Sequence, residues 1–297
     1  MKLRHTLAVS ILALAAAGAQ AQGLDGTLKK IKDTGTITLG VRESSVPFSY
    51  YDQNQKTIGY SQDIAMAIVA AIKQQLGLPK LAVKELPITS QNRIPLVQNG
   101  TVDLECGSTT NTLERQKQAA FSNSIFLYGI KMVTPKRSGV KDFSDLQGKT
   151  VVTTAGTTSE RLLRKMLEDK KANFQLVSAK DHGEAFLSVE TGRAVAFVMD
   201  EPLVYGAKAK ARNPDDYVVT GTPLAFENYA CMMRRDDPAF KALVDKTVAH
   251  LETSGEAAKL YNKWFMQPVP PRGVNLNYPM SQEMKELFAH PNDKAQY

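Results

Sequence analysis

Apolar and polar positions repeat along the chain with two alternating periods, and each change of period predicts a new element. Residues 36–41 alternate with the period of two that is typical of a strand. The next segment repeats its isoleucines every four residues, which predicts a helix that Ser61 caps. Residues 81–86 predict a strand, Ser90 is predicted to cap a short helix, and 102–106 form another strand. This β-α-β-α-β order predicts a mainly parallel sheet covered by helices.

The same order restarts after Gly139 and forms a second unit. Residues 150–154 are mostly β-branched and predict a strand, and Thr157 and Glu160 flank the start of a helix. Two α/β units in series predict two lobes, and the length of 297 residues suits one large or two medium domains. The other predicted elements are strands at 174–177 and 194–199, a strand after Pro223, and helices at 181–190, 237–254, 256–265 and after Ser281.

The N-terminal segment has the layout of a secretory signal peptide. Lys2 and Arg4 precede a short apolar stretch over 7–18, and small residues at 19–21 stand before a cleavage position. The stretch is too short to span a membrane, so an uncleaved anchor is the less favoured alternative. We expect cleavage after Ala21 and a periplasmic protein.

Composition and charge exclude several classes of protein. With 43% apolar and 23% charged residues the chain is ordinary for a globular protein, which excludes disordered and collagen-like chains. Loss of Lys2 and Arg4 would lower the formal charge from +7 to +5. Lysines and arginines are interleaved with acidic residues, so they predict a mixed, solvated surface and no nucleic-acid partner.

Cysteine usage and motifs argue against metal binding and catalysis. Cys106 and Cys231 lie too far apart for a zinc site or a redox pair, which leaves one structural disulfide or two buried thiols. Ser138 and Lys141 fit Ser-x-x-Lys, but they lie in a glycine-containing loop without the partner motifs. The sequence contains no phosphate loop and no metal-ligand spacing. We therefore expect no catalytic site, no metal and no cofactor.

Several residues suit the binding of a small anion. Thr157 and Glu160 fit a capping box, and the neighbouring backbone N–H groups could hold a carboxylate. Arg42 and Asp200 follow the ends of predicted strands, where ligands of α/β sheets collect. Arg93 lies in the first turn of a helix, where the helix dipole disfavours a cation. Each feature also has a structural interpretation, as a helix cap or a surface arginine.

Longer stretches resemble the type II periplasmic amino-acid-binding proteins over essentially the whole mature chain, in collinear order. Residues 42–51 and 59–63 resemble the opening of that family, and 105–115 resemble its ligand loop. Residues 156–159 and 199–200 match the motifs of the second lobe. Within the family, 87–96 and 178–183 are similar to the glutamate/aspartate-binding branch.

This resemblance implies a ligand site with three tasks. Three arginines, one aspartate and one histidine would oppose the two carboxylates and the ammonium of an acidic amino acid. His182 is expected to donate to the side-chain carboxylate as an imidazolium; a neutral histidine at a helix start is the alternative. The implied set is Arg115, Thr110 and Thr158 for the α-carboxylate, Asp200 with Ser108 for the α-ammonium, and Arg42, Ser90, Arg93 and His182 for the side-chain carboxylate.

The resemblance also implies a fold and a disulfide bond. The fold is α/β: the two-lobed, type II periplasmic-binding-protein fold, with each lobe a mainly parallel sheet flanked by helices. Lobe 1 would comprise 22–126 and 225–297 and lobe 2 would comprise 127–224, with hinge crossovers near Leu127 and Leu224. Cys106 and Cys231 fall where this branch pairs its cysteines.

The resemblance implies a function in transport. The protein would be a monomer that captures L-glutamate or L-aspartate and delivers it to the membrane permease of an ABC importer. Two alternatives use the same scaffold. One is a periplasmic dehydratase or lyase, because a fold alone does not define a function. The other is an input module for a chemoreceptor.

Overall fold

The computed structural model describes residues 24–295, so the signal peptide predicted at 1–21 lies outside the described residues. None of the helices in that range has the length and apolar character needed to cross a membrane. The helices are α1 (Gly26–Thr34), α2 (Tyr60–Leu76), α3 (Arg93–Gln98), α4 (Leu113–Gln116), α5 (Thr158–Glu168), α6 (His182–Glu190), α7 (Glu201–Lys210), α8 (Pro238–Thr253), α9 (Glu256–Phe265) and α10 (Gln282–Ala289). The strands are β1 (Thr36–Val41), β2 (Ser44–Ser45), β3 (Ser49–Tyr51), β4 (Thr57–Ile58), β5 (Ala82–Pro87), β6 (Leu104–Glu105), β7 (Ala119–Pro135), β8 (Thr150–Thr154), β9 (Gln175–Ala179), β10 (Ala196–Asp200), β11 (Tyr217–Thr220), β12 (Phe226–Arg234), β13 (Pro268–Val269) and β14 (Val274–Asn275).

Nine strands form one sheet: eight of them pair in the order β5-β1-β6-β12-β7-β10-β8-β9, and the ninth, β11, pairs with β7. Two groups of three parallel strands, β5-β1-β6 and β10-β8-β9, stand at its ends. They are joined through β12 and β7, which pair antiparallel. The strand β7 takes part in both halves, because it pairs with β12 on one side and with β10 and β11 on the other.

Elements with clear local signals have the predicted bounds. The strands β1 and β8 and the helix α9 begin and end where the sequence predicts. Asp237 and Ser281 cap α8 and α10, since each side chain accepts a hydrogen bond from an N–H group of the first turn. Gly77 ends α2 in the left-handed conformation, with φ of 60°.

Two predicted helix caps are wrong. Gly59, not Ser61, precedes α2, and the carbonyl oxygen of Phe48 accepts from the backbone N–H of Ser61 at 2.9 Å. Because main-chain acceptors satisfy the start of α2, the Ser61 hydroxyl instead donates to the Gly107 carbonyl at 2.8 Å. Similarly, Asn92 precedes α3, and Ser90 lies outside the helix end.

Aromatic packing fixes the segment that follows β1. The ring of Phe48 meets those of Phe126 and Tyr229 edge-on, each with centroids 5.0 Å apart. A disulfide joins Cys106, just after β6, to Cys231 in β12, which confirms the predicted pairing. These contacts hold the loops after β1 and β6 against the middle of the sheet.

Candidate functional site

All nine residues of the predicted ligand site are buried, and they lie at the ends of strands and the beginnings of helices. Parallel strands bring their carboxyl ends to one edge of a sheet, where ligands of α/β folds collect. The residues are Arg42 after β1, Ser90 before α3, Arg93 at the start of α3, Ser108 and Thr110 after β6, Arg115 in α4, Thr158 and His182 at the starts of α5 and α6, and Asp200 at the end of β10.

Arg42 connects three of the predicted positions. Its Nη2 donates to the Ser90 hydroxyl at 2.9 Å, and its Nη1 lies 3.5 Å from the Ser108 hydroxyl. Its backbone N–H donates to Ser49 at 3.0 Å, which ties the start of this loop to β3. Ser90 is therefore part of the site through its side chain rather than as a helix cap.

Arg93 is held by a chain of hydrogen bonds that ends on a buried acid. Its Nη1 donates to the Ser108 carbonyl at 3.0 Å and to the Thr109 hydroxyl at 2.6 Å. The Thr109 hydroxyl in turn donates to Glu105 Oε2 at 2.5 Å. Within the described part of the chain, the buried Nε of Arg93 has no hydrogen-bond partner. The guanidinium thus keeps a donor that a ligand could use.

Arg115 lies where the loop after β6 meets the start of α5. Its Nη1 donates to the Thr110 carbonyl at 3.0 Å, and its Nη2 donates to the Gly156 carbonyl at 3.2 Å. The hydroxyl oxygens of Thr110 and Thr158 are 3.3 Å apart. The predicted α-carboxylate set is therefore one connected group that joins both halves of the sheet.

The capping box predicted before α5 forms only in part. Thr157 Oγ1 accepts from the backbone N–H of Glu160 at 3.1 Å, as predicted. The Glu160 carboxylate, however, accepts from the N–H of Gly156 at 2.8 Å rather than from that of Thr157. The backbone turns sharply at this point, since Gly156 is left-handed with φ of 78°.

The three arginines form a concentration of positive charge without direct neutralisation. Burial, and then the charge of Arg93, lower the pKa of Arg42 and of Arg115 to about 10, so both are protonated at neutral pH. Among residues 24–295, the ion pairs between basic and acidic side chains include none of these three arginines. Their hydrogen bonds go to hydroxyl and carbonyl oxygens, which leaves their charge available to an anion.

Asp200 is the buried acid at the end of β10. Its carboxylate accepts from the Ser159 hydroxyl at 3.2 Å and, in a short hydrogen bond, from the Tyr229 hydroxyl. Burial and the nearby charge of Glu227 raise the pKa of Asp200 to about 7. A bound ammonium group would favour the ionised form and so would suit this position.

His182 is neutral in this environment. Burial, followed by the charges of Arg42 and Arg93, holds the pKa of His182 well below its usual value of 6.5. Its Nδ1 lies 2.8 Å from the Thr154 hydroxyl, while the buried Nε2 has no partner among the described residues. The imidazolium predicted from sequence is therefore disfavoured until an anion approaches.

Sequence reasoning missed the acids and tyrosines that support the site. Glu227 Oε2 accepts from the Thr158 hydroxyl at 2.6 Å and from the Tyr128 hydroxyl at 2.9 Å. Glu105 and Tyr229 contribute in the same way, through Thr109 and Asp200. In the sequence only Glu105 had a signal, because it lies within the stretch 105–115 that resembles the family's ligand loop. Tyr128 lies in β7, and Glu227 and Tyr229 lie in β12, outside every stretch on which the prediction of the site was based.

The arrangement as a whole can bind a small zwitterion that carries more than one carboxylate. It offers three cationic forks, one carboxylate and several hydroxyl groups in a buried setting, where such bonds are stronger than in water. Within residues 24–295 no group of three or more histidine, cysteine or acidic side chains could hold a metal ion. Fold and site together define a binding protein for an amino-acid-like anion.

Comparison with known proteins identifies the family. Residues 37–267 match the bacterial extracellular solute-binding proteins, family 3, and the chain belongs to this family. A solved structure described as a solute receptor for L-cysteine of Neisseria gonorrhoeae superposes with a TM-score of 0.73 and 26% identity, over 87% of this chain and 98% of that one. This confirms the predicted type II binding-protein fold.

Two relatives are similar over nearly their full length. The chain is 58% identical to the L-glutamate/L-aspartate-binding protein of Pseudomonas aeruginosa, over 96% of this chain and 95% of the relative. It is 55% identical to the glutamate/aspartate import solute-binding protein of Escherichia coli K12, over 99% of each chain. Both are named as binding proteins, which favours the binding interpretation over a dehydratase or lyase.

Proposed function

We propose that the protein captures an acidic amino acid, L-glutamate or L-aspartate, in the periplasm and delivers it to the membrane permease of an ABC importer. One observation carries the proposal: Arg42, Arg93 and Arg115 are buried together, yet their hydrogen bonds go to neutral oxygens. A ligand with two carboxylates supplies the missing counter-charge. The names of the two relatives support the same ligand class.

The proposed roles follow the grouping of the side chains. Arg115, with Thr110 and Thr158, binds the α-carboxylate, while Asp200 and Ser108 bind the α-ammonium group. The second carboxylate belongs to the remaining cluster, Arg42, Ser90, Arg93 and His182. The short connections between Arg42 and Ser90 and between Thr110 and Thr158 support this division into two neighbouring groups.

Ligand capture would proceed by closure of two lobes. In this proposal lobe 1 comprises 22–126 and 225–297, lobe 2 comprises 127–224, and the chain crosses near Leu127 and Leu224. The sharing of β7 between both strand groups supports a crossing in that region. Because lobe 1 contributes six of the nine site residues and lobe 2 the other three, a ligand that contacts both stabilises the closed state.

Calorimetric titration of the ligand-free protein with glutamate, aspartate, glutamine and asparagine tests this function. We expect the two acids to bind and their amides to bind roughly 30- to 5,000-fold more weakly, because an amide leaves buried arginine unpaired, at a cost of about 2–5 kcal/mol. The variant Arg42→Gln should lose most of the preference of the protein for acids over amides.

A surface variant supplies the control. Arg137 is exposed, and Arg137→Gln removes the same charge outside the site. It should retain the affinity and the preference of the wild type. Equal affinity of the wild type for glutamate and glutamine would contradict the proposed ligand.

A further inference from the structure

Gly206 lies unusually close to the backbone of a segment that is distant in sequence. A Cβ atom placed on Gly206 would stand 2.7 Å from the carbonyl carbon of Val46, and closer still to its oxygen. Both Gly206 and Val46 are buried. A methyl group therefore cannot be added at Gly206 unless α7 and the loop containing Val46 move apart.

The conformation of Gly206 does not require glycine. The residue lies in the interior of α7, a helix of ten residues, and its φ is not in the left-handed range. Alanine is favoured over glycine at such positions, because glycine loses more conformational freedom in a helix. The contact with Val46 is thus the feature of the structure that excludes a side chain here.

The contact joins two elements that carry ligand-site residues. Val46 lies between β2 and β3, shortly after Arg42 in the chain, and Gly206 lies in the helix that Asp200 precedes. In the proposed division of the chain these two elements belong to different lobes. The distance between Val46 and Gly206 therefore reflects how closely Arg42 and Asp200 approach one another.

A second glycine meets the opposite lobe in a similar way. A Cβ on Gly156 would stand 2.8 Å from the backbone Cα of Gln91, next to Ser90 and Arg93. Gly156 has a φ of 78°, however, so a substitution there would strain the backbone whatever the space. Only Gly206 allows the effect of the contact to be separated from the effect of backbone conformation.

We infer that Gly206 determines how far the lobes close, and that a side chain at this position opposes closure without touching the ligand. The inference rests on the proposed function, since it assumes that binding and closure are coupled. It assigns a positioning role to a residue outside the ligand-contacting set.

The variant Gly206→Ala tests the inference with glutamate and aspartate as probes. We expect its Kd to rise roughly 10- to 100-fold, the size expected when an extra methyl group overpacks a buried contact. The association rate should stay near that of the wild type, and the loss should appear in faster dissociation. Small-angle scattering should show a larger radius of gyration than wild type at saturating ligand.

Thermal unfolding without ligand distinguishes closure from general damage. In the open protein the new alanine only improves a helix, so Tm should be unchanged or higher by about 1–3 °C. Gly183→Ala is a matched control, because Gly183 is also helical and also faces the other proposed lobe, at Ser44 in β2. Its Cβ would lie 3.5 Å from the Ser44 Cβ and 3.2 Å from Asp181 Oδ1, so its affinity should change less than threefold, as for a tolerated small substitution.

The outcomes separate the two proposals. A wild type that binds and closes, together with a Gly206→Ala variant of equal affinity, overturns the inference and leaves the proposed function intact. A variant that is insoluble, or that unfolds at a lower temperature without ligand, also overturns it, because the contact would then exist in the open protein. If the wild type binds neither glutamate nor aspartate, the result contradicts both the proposed function and the inference about Gly206.

Discussion

Asp200 should give ligand binding a measurable dependence on pH. In the protein without ligand, burial and Glu227 raise the pKa of Asp200 to about 7. In the proposed assignment the ammonium group of the ligand favours the carboxylate, so the pKa of Asp200 should be lower in the complex than in the free protein. Binding below pH 7 therefore requires that Asp200 first lose a proton.

The size of the effect follows from the difference between these two pKa values. Below a free-protein pKa of about 7, the apparent Kd rises about tenfold per pH unit, or roughly 30-fold between about pH 8.5 and about pH 5.5. The side-chain carboxyl of a glutamate ligand, with a pKa near 4.3, stays largely ionised over this range, so it contributes little to the slope. Near pH 6 the binding of one ligand molecule should release close to one proton from Asp200.

Calorimetry in buffers of different ionisation enthalpy measures both the affinity and the proton release. The variant Asp200→Asn keeps the shape of the side chain but cannot titrate, so its profile should lose this slope. Its affinity at about pH 8.5 should fall by roughly 30- to 5,000-fold, because the ammonium group loses its counter-charge.

Asp103→Asn is the matched control for this experiment. Asp103 is buried as deeply as Asp200, but it pairs with Lys30 and accepts from the backbone of Thr38. The control should keep the pH slope of the wild type. An identical slope in the wild type and in Asp200→Asn would refute the assignment of Asp200 to the ammonium group.

Three further predictions concern other buried groups. Thiol labelling of the unreduced, denatured protein should detect no free cysteine, and reduction should lower the free energy of unfolding by at most about 4–5 kcal/mol, as expected for the long loop that Cys106 and Cys231 close; two labelled thiols would contradict the bridge. Glu252→Met should raise the free energy of unfolding in urea by roughly 1–3 kcal/mol, since both carboxyl oxygens of Glu252 are buried and unpartnered within the described range; destabilisation would contradict this. His182→Gln should weaken glutamate binding, by calorimetry, but should leave the slope due to Asp200 in place; loss of that slope would assign the titration to His182.

The sequence predicts elements well where the signal is local. The bounds of β8 and α9 follow from β-branched residues and from flanking turns, which neighbouring residues alone supply. The 17-residue strand β7 was missed, because its partly buried positions do not alternate with fully buried ones. It pairs on both edges and passes from one strand group to the other. Most of its side chains are therefore buried, whichever face of the sheet they point to.

The residues of the site also divide into those that the sequence predicts and those that it does not. The nine predicted positions came from stretches that resemble a family; all nine are buried, and their roles in ligand binding stay predictions. Tyr229 and Glu227 could not be identified, because their importance depends on the pairing of distant strands. Tyr229 forms an isolated bridge with Thr110, a contact that only the folded sheet creates.

The placement of the partners explains why the site can keep so much charge and still await a ligand. The buried acids of the site are held by hydroxyl groups: Asp200 by Tyr229, Glu105 by Thr109, and Glu227 by Thr158 and Tyr128. Each arginine is likewise held by neutral oxygens, and a ligand therefore need not break an existing ion pair before it binds. Direct pairs would lower the cost of burying these charges in the free protein, but they would compete with the ligand for the same donors. The raised pKa of Asp200 and the lowered pKa of His182 are the consequence, since both groups approach neutrality until the ligand supplies the opposite charge.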